Sequence, residues 1–299
     1  MGILINKNTK VLVQGITGAE GSKTTRQCIE YGTNIVCGVT PGKGGQKVEG
    51  KPVYNSVKEA IEKHSDVNVS VLYVPPLRAK DAFIEAINAK IPLIVCITEN
   101  IPIHDFLECY ELAKKNNVRI VGPTSVGIIT SDICKVGSIG GDKNLQYSKG
   151  PVGIISKSGG MTSETALLLK NESIGTSTCV SIGGDVICGS DFVDILKLFE
   201  KDEQTKVIVL FCEIGGEYEQ LVAKAYTEKV ITKPIVAFVS GAFVENMPGV
   251  SVGHAGAIVE GENSKRSAKI NAFKQAGIKV ANVHHEIAEL VKQELEKLG

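Results

Sequence analysis

Among the five histidines of this chain, His254 has the surroundings best suited to chemistry. It lies in Gly253-His254-Ala255-Gly256-Ala257-Ile258, between glycines and small apolar residues. A metal-binding histidine usually has further ligands at helical or hairpin spacing, and this stretch offers none. Glycine on either side removes bulk and permits unusual backbone angles, so a large group can reach the ring. An imidazole nitrogen is a competent nucleophile. The expected chemistry is a histidine that carries a phosphoryl group; a histidine in a tight turn is the plain alternative. Glu213 begins the run Glu213-Ile214-Gly215-Gly216-Glu217, directly after an apolar segment. It can accept a hydrogen bond from the far ring nitrogen and fix the tautomer. Its plain alternative is a helix-start carboxylate favoured by the dipole. His64 and His104 sit in polar segments, and His284 and His285 adjoin Glu286 and Glu289, so these four read as surface or capping residues.

Two junctions are suited to holding phosphate near that histidine. Lys157-Ser158-Gly159-Gly160-Met161-Thr162-Ser163-Glu164 follows an apolar run, and Gly215-Gly216 follows another. Small residues at a helix start leave backbone N–H groups free, and the helix N-terminus favours an anion. A third glycine-rich turn lies near the start of the chain, where Val11-Leu12-Val13-Gln14 runs into Gly15-Ile16-Thr17-Gly18-Ala19-Glu20-Gly21. Its spacing is GxxGxxG rather than the GxGxxG of dinucleotide sites. A nicotinamide enzyme also needs an acid about 20 residues on for the ribose hydroxyls. That region reads Val36-Cys37-Gly38-Val39-Thr40-Pro41-Gly42-Lys43 and supplies a cation instead. Coenzyme A, with its 3′-phosphate and diphosphate, fits better than NAD. No Walker A lysine motif is present.

The elements that must position these residues alternate in type. Strand-like runs are expected at residues 9–14, 34–39, 69–74, 93–97 and 119–121, with helix-like segments at 23–31, 57–63, 80–89 and 103–116. The alternation restarts with strands at 152–156, 178–182, 206–212, 235–240 and 279–280, and helices at 161–170, 191–201, 218–230, 264–275 and 285–298. Such βαβα order argues for parallel sheets covered on both faces. The expected organisation is an α/β chain with one doubly wound domain over residues 1–136, a polar, glycine-rich linker over 137–149, and a second doubly wound domain over 150–299.

Composition narrows the classes further. The 299 residues carry 33 basic and 33 acidic side chains, so there is no electrostatic case for nucleic acid or an anionic membrane. No apolar run approaches a membrane span. The N-terminal residues show no signal-peptide pattern, which sets the expectation of a cytoplasmic protein, or of an organelle matrix if the chain is eukaryotic and processed. The eight cysteines form no CxxC pair. They read as reduced, buried thiols, and no metal site is expected.

The motifs GITGAEG (15–21), GVTPGKGG (38–45), ITE (97–99), GP (122–123), STCVSIGGD (177–185), EIGG (213–216) and GHAGAI (253–258) occur in this order. Together they resemble the alpha subunit of succinyl-CoA synthetase, or succinate–CoA ligase, along essentially the whole chain. The resemblance implies a Rossmann-like CoA-binding domain followed by a flavodoxin-like ligase domain. It also implies a partner beta subunit of ATP-grasp fold, in an αβ or α₂β₂ assembly, that binds ATP or GTP and Mg²⁺. Thr17, Gly18, Ala19, Glu20, Lys43, Ile97, Thr98 and Glu99 would contact CoA. His254 would be phosphorylated and oriented by Glu213, while Ser158, Gly159, Gly160, Ser163, Gly215 and Gly216 would hold phosphate or substrate. The chain also departs from the family pattern. Ser163 stands where a tyrosine is usual, Thr124 and Ser125 replace an asparagine and a cysteine, and residues 246–252 lack the usual basic side chains. The Ser-Gly-Gly-Met run is more like subunits of ATP-citrate lyase and citryl-CoA synthetase, which leaves malate or citrate as alternative acids. A CoA-binding regulatory module and an NAD-dependent dehydrogenase are the readings from other classes.

Overall fold

In the computed structural model, residues 2–140, 146–245, 247 and 253–299 are described. The first half contributes β1 (Lys10–Gln14), α1 (Ala19–Tyr31), β2 (Asn34–Val39), β3 (Lys47–Val48), β4 (Lys51–Tyr54), α2 (Val57–Lys63), β5 (Val69–Leu72), α3 (Ala79–Asn88), β6 (Leu93–Cys96), α4 (Ile103–Lys115) and β7 (Arg119–Val121). The sheet order is β3-β4-β2-β1-β5-β6-β7. All pairings are parallel except the short β3–β4 hairpin. With β3 set aside, the order is that of a dinucleotide-binding fold, 3-2-1-4-5-6. β5 (VSVL) and β6 (LIVC) are buried at every position, as strands covered by helices on both faces must be.

The second sheet is built from β8 (Ile128–Thr130), β9 (Cys134–Val136), β10 (Lys149–Ser156), α5 (Gly159–Asn171), β11 (Thr176–Ser181), α6 (Phe192–Glu200), β12 (Val207–Cys212), α7 (Tyr218–Thr227), β13 (Ile235–Val239), α8 (Arg266–Gln275), β14 (Lys279–Ala281) and α9 (Glu286–Glu296). Its order is β14-β13-β12-β10-β11-β8-β9. The five parallel strands β10 to β14 therefore have the flavodoxin-like order 2-1-3-4-5. α6 is the most clearly amphipathic of its helices. Asp191 caps its start by accepting from Asp194 N at 2.8 Å, and Phe192, Ile195, Leu196 and Phe199 bury one face.

One boundary differs from the sequence reading, which ends the first domain at residue 136. β8 and β9 hydrogen-bond into the second sheet, β8 running antiparallel to β11. The reason is edge pairing. Without the hairpin, β11 would present a row of unpaired backbone groups, and β8 and β9 are buried at every position. The hairpin also ties the two sheets together. Thr33 Oγ1, beyond the end of α1, donates to Lys135 O at 2.7 Å, and Thr130 Oγ1 donates to Ile5 O at 3.0 Å. Parts of the expected linker are core as well: Ile139 and Tyr147 are buried with the second sheet, while residues 141–145 lie outside the described residues.

Candidate active site

His254 and Glu213 meet. Glu213 follows the last residue of β12, and its Oε2 lies 2.8 Å from His254 Nδ1. The His254 side chain is 28% exposed and that of Glu213 only 9%. A carboxyl oxygen accepting at that distance makes Nδ1 the protonated nitrogen, which leaves Nε2 the lone pair of the neutral ring. The Glu213 hydrogen bond holds the imidazole above its ordinary pKa, with burial and the Lys157 charge pulling the other way and Glu99 adding to the rise.

The loop carrying His254 is seated on backbone. A Cβ added to Gly184 would lie 2.2 Å from His254 Cγ, so the ring packs where a side chain would otherwise be. Gly256 N donates to Gly184 O at 2.9 Å. Gly215, at φ +87°, leaves space for Gly256 O, which a Cβ there would approach to 1.9 Å. The motifs SIGGD, EIGG and GHAGAI therefore form one packed unit. Residues 246–252, where the family's basic side chains are missing from the sequence, lie outside the described residues except for Met247.

Beneath the pair is a set of buried charges that the sequence reading does not single out. Lys157 follows β10 directly, as Glu213 follows β12, and these strands are parallel neighbours with Ser156 opposite Phe211. The Lys157 Nζ is 4.0 Å from Glu213 Oε1 and 5.3 Å from the centre of the Tyr218 ring. Lys269 and Glu219, both completely buried, pair at 2.5 Å. Lys269 also donates to Glu213 O at 2.8 Å and to Gly215 O. The strand order changes direction between β10 and β12, and a doubly wound sheet opens its ligand crevice at that point.

The remaining predicted phosphate residues divide. Ser158 caps α5, its Oγ accepting from Met161 N at 3.4 Å, and Gly159 approaches Val126 so closely that a Cβ would lie 2.2 Å from it. Gly160 is exposed, with open space where a Cβ would go. Gly215 and Gly216 form a left-handed turn, at φ +87° and +60°, and α7 begins after it at Tyr218. Ser163 hydrogen-bonds the hydroxyl of buried Tyr147 at 3.0 Å. Part of the space expected from the loss of a tyrosine at 163 is thus taken by a tyrosine from another segment.

In the first sheet, the glycine turn between β1 and α1 has the geometry its spacing suggests. Gly15 is at φ +80° with Tyr73 O 2.4 Å from where a Cβ would be; Gly21 packs on Gly15 in the same way at 2.3 Å. Gly18 caps α1 with no side-chain hydrogen bond, and Gly18, Ala19 and Glu20 are exposed. Thr17 Oγ1 donates to Thr40 Oγ1 at 3.2 Å. Exposed Lys43 lies in a loop pinned by Asn55, whose Oδ1 accepts from Gly42 N and Gly44 N at 3.0 Å each. Ile97, Thr98 and Glu99 follow β6; Thr98 Oγ1 donates to Val74 O at 2.8 Å, and Glu99 is exposed. A cavity of about 750 Å³ opens beside these segments. Its walls include Gly15, Thr40, Val74, Pro75, Arg78 and Asp81. It lies at the ends of β1, β2 and β5, where this sheet too changes direction. None of the eight predicted CoA residues is among its walls, although Thr17, Lys43 and Thr98 adjoin them in sequence or by hydrogen bond. Arg78 and Asn55 escape sequence reading because neither belongs to a glycine motif.

The model of the CoA binding domain family matches residues 6–100, and that of the CoA-ligase family matches residues 155–279. The chain is 44% identical over all 299 residues to the alpha subunit of succinate–CoA ligase (ADP-forming) from Staphylococcus epidermidis, covering 97% of that protein. This chain belongs to the succinate–CoA ligase alpha-subunit family. The same subunit from Staphylococcus aureus is 42% identical over the same span, again with 97% of its length covered. Among solved structures, ATP citrate lyase from Methanothrix soehngenii, in complex with citrate and coenzyme A, superposes with a TM-score of 0.92 at 29% identity over 99% of this chain. This chain spans about half of that longer one, 51%. The sequence resemblance and the two-domain α/β fold are thus established together.

Proposed function

We propose that the chain is the alpha subunit of a nucleotide-dependent acid–CoA ligase, acting on succinate: succinate, CoA and a nucleoside triphosphate give succinyl-CoA, the diphosphate and phosphate. The observation that carries this reading is the 2.8 Å contact between Glu213 and His254 Nδ1 at the switch point of the second sheet. It leaves Nε2 as the nucleophile. In the ligase direction Nε2 attacks the terminal phosphorus, a nitrogen–phosphorus bond forms, and the nucleoside diphosphate leaves. The carboxylate of the acid then takes the phosphoryl group from Nε2. The CoA sulfur attacks the resulting acyl phosphate and releases phosphate. A covalent relay divides one difficult transfer into easier steps.

The roles proposed for the other residues follow their positions. The start of α5, capped by Ser158, and Gly216 offer backbone N–H groups to the phosphoryl oxygens, while Gly215, whose N–H is donated to Ser264 O at 2.9 Å, shapes the turn. Thr17 to Glu20, Lys43 and Ile97 to Glu99 bind CoA, with Arg78 and the 750 Å³ cavity as an extension of the same site. A beta subunit of ATP-grasp fold supplies the nucleotide and Mg²⁺. No helix among the described residues is long and apolar enough to cross a membrane, which fits the cytoplasmic location proposed here. Citrate or malate is the second reading for the acid, favoured by Ser163 in place of a tyrosine and by the likeness to a citrate-bound lyase, with Tyr147 taking back part of the space.

The test is phosphorylation. The chain, co-expressed with its beta subunit, is given γ-labelled ATP or GTP and Mg²⁺. Acid-labile label on His254 is expected, discharged by CoA plus succinate rather than malate or citrate, and His254→Asn should abolish it. A folded complex that takes no label would overturn the ligase reading, and discharge by citrate alone would change the acid.

A further inference from the structure

Glu213 has two oxygens, and only one is engaged with His254. Oε1 is buried and accepts no hydrogen bond among the described residues. A buried carboxylate oxygen with no hydrogen bond calls for a fixed charge close by to hold it in one place. A cation stands close to it: Lys157 Nζ lies 4.0 Å from Oε1, and the Lys157 side chain is 2% exposed. The cation belongs at this position. Burial works to neutralise Lys157, but Glu219 and Glu213 together outweigh burial and keep the ammonium charged. Lys269 fixes Glu219 from the far side at 2.5 Å and ties down the backbone at Glu213 and Gly215. Charges therefore alternate from Lys269 through Glu219, Lys157 and Glu213 to the imidazole.

We propose that Lys157 is a positioning residue for the phosphoryl-accepting histidine: from 4.0 Å it holds the Glu213 carboxylate in one orientation against Nδ1, and offsets its charge as phosphate arrives on the ring. This rests on the ligase reading above. As the Nε2–phosphorus bond forms and the bond from phosphorus to the leaving oxygen breaks, Nδ1 keeps its proton and its bond to Glu213. The incoming phosphoryl group brings negative charge toward a ring already beside a carboxylate. A fixed buried ammonium against the other carboxylate oxygen reduces that repulsion without touching the reacting atoms. Among the described residues, the charged groups acting on His254 include Glu213 from the end of β12, Lys157 from the end of β10 and Glu99 from the end of β6.

The experiment uses the full chain with its partner, and compares Lys157→Met with Lys157→Arg. Two quantities are read: the titration of His254, by imidazole NMR without turnover, and the pH dependence of the single-turnover phosphorylation rate. Lys157 lowers the His254 pKa, so Lys157→Met should raise it and move the acid limb of the rate to higher pH with it. The plateau rate should fall on the order of tenfold. Lys157→Arg keeps the charge and should recover most of both. A His254 titration unmoved in Lys157→Met, or a Lys157→Arg variant as impaired as Lys157→Met, would overturn the proposal. Should Lys157→Met not fold, Lys157→Gln against Lys157→Arg gives the same contrast. Failure of the wild-type complex to take label would count against the ligase reading instead, since the NMR titration needs no ligase activity.

Discussion

The two sheets open their crevices in the same way and furnish them differently. At the β1–β5 switch point of the first, the crevice is a cavity of about 750 Å³ whose charged walls, such as Arg78 and Asp81, stay near water; that ion pair is 4.0 Å apart with both side chains largely exposed. At the β10–β12 switch point of the second, the charges are sealed beneath the surface and matched in sequence, from Lys269 to His254. An open polar crevice suits a ligand that brings its own phosphates and must leave. A sealed charge network suits a side chain that must keep one protonation state while its substituent changes. On the proposed function, the same topology therefore serves holding in one half and reacting in the other.

The largest effect expected from breaking that contrast is at Glu213. Glu213→Gln replaces the carboxylate with an amide that no longer enforces the Nδ1–H tautomer, and single-turnover phosphorylation should fall on the order of 10²–10⁴-fold. The pH dependence carries a sign. The folded His254 pKa lies above its ordinary 6.5 because of the Glu213 bond, so wild-type phosphorylation should rise through a limb above that value, as the ring becomes neutral. In Glu213→Gln the limb should move to lower pH. The linked stability contribution is fully present below the unfolded pKa and is lost as pH rises through the folded value. Wild type should therefore exceed Glu213→Gln in stability by more at pH 5 than at pH 9, as read by denaturant titration.

Lys269→Met tests the sealed network as structure. It removes the hydrogen-bonded cation of buried Glu219 and the donor to two backbone oxygens. A loss of about 3–5 kcal/mol in chemical denaturation is expected; a loss under 1 kcal/mol would mean that the network is not held as described. Arg78→Ala is the counterpart in the open crevice and should do least. A solvent-exposed ionic contact contributes about 0.2–1 kcal/mol, so CoA affinity by calorimetry should weaken only several-fold. That difference should shrink further at high salt, whereas the Lys269→Met loss should persist.

How far the sequence carries depends on whether a feature is local. The Gly15, Gly18 and Gly21 turn, the apolar strands β5 and β6, and the pairing of Glu213 with His254 are each announced by residue type next to a strand end. Lys157, Lys269 and Glu219 are not. In the sequence, each is an ordinary charged residue in a helix or beside a glycine run, and only the adjacency of β10 and β12 brings the first of them to Glu213. β8 and β9 fail for the same reason: three-residue strands carry too little periodicity, and β11, which pairs with β8, lies about fifty residues further on, Thr178 opposite Thr130. Ser163 shows a subtler limit. Removing a tyrosine from a motif suggests an empty volume, but Tyr147 reaches part of it from a stretch that reads as linker.

The seat of the histidine loop has a consequence for how the chain tolerates change. Gly184, Gly215 and Gly256 meet at distances that exclude even one methyl group. Any substitution at these three positions meets the ring or a backbone oxygen at its first carbon, whatever the rest of the side chain. The ladder of ever larger residues by which a protein usually drifts has no lowest rung there, so variation in the reacting half must enter through the residues around the loop rather than through its foundation.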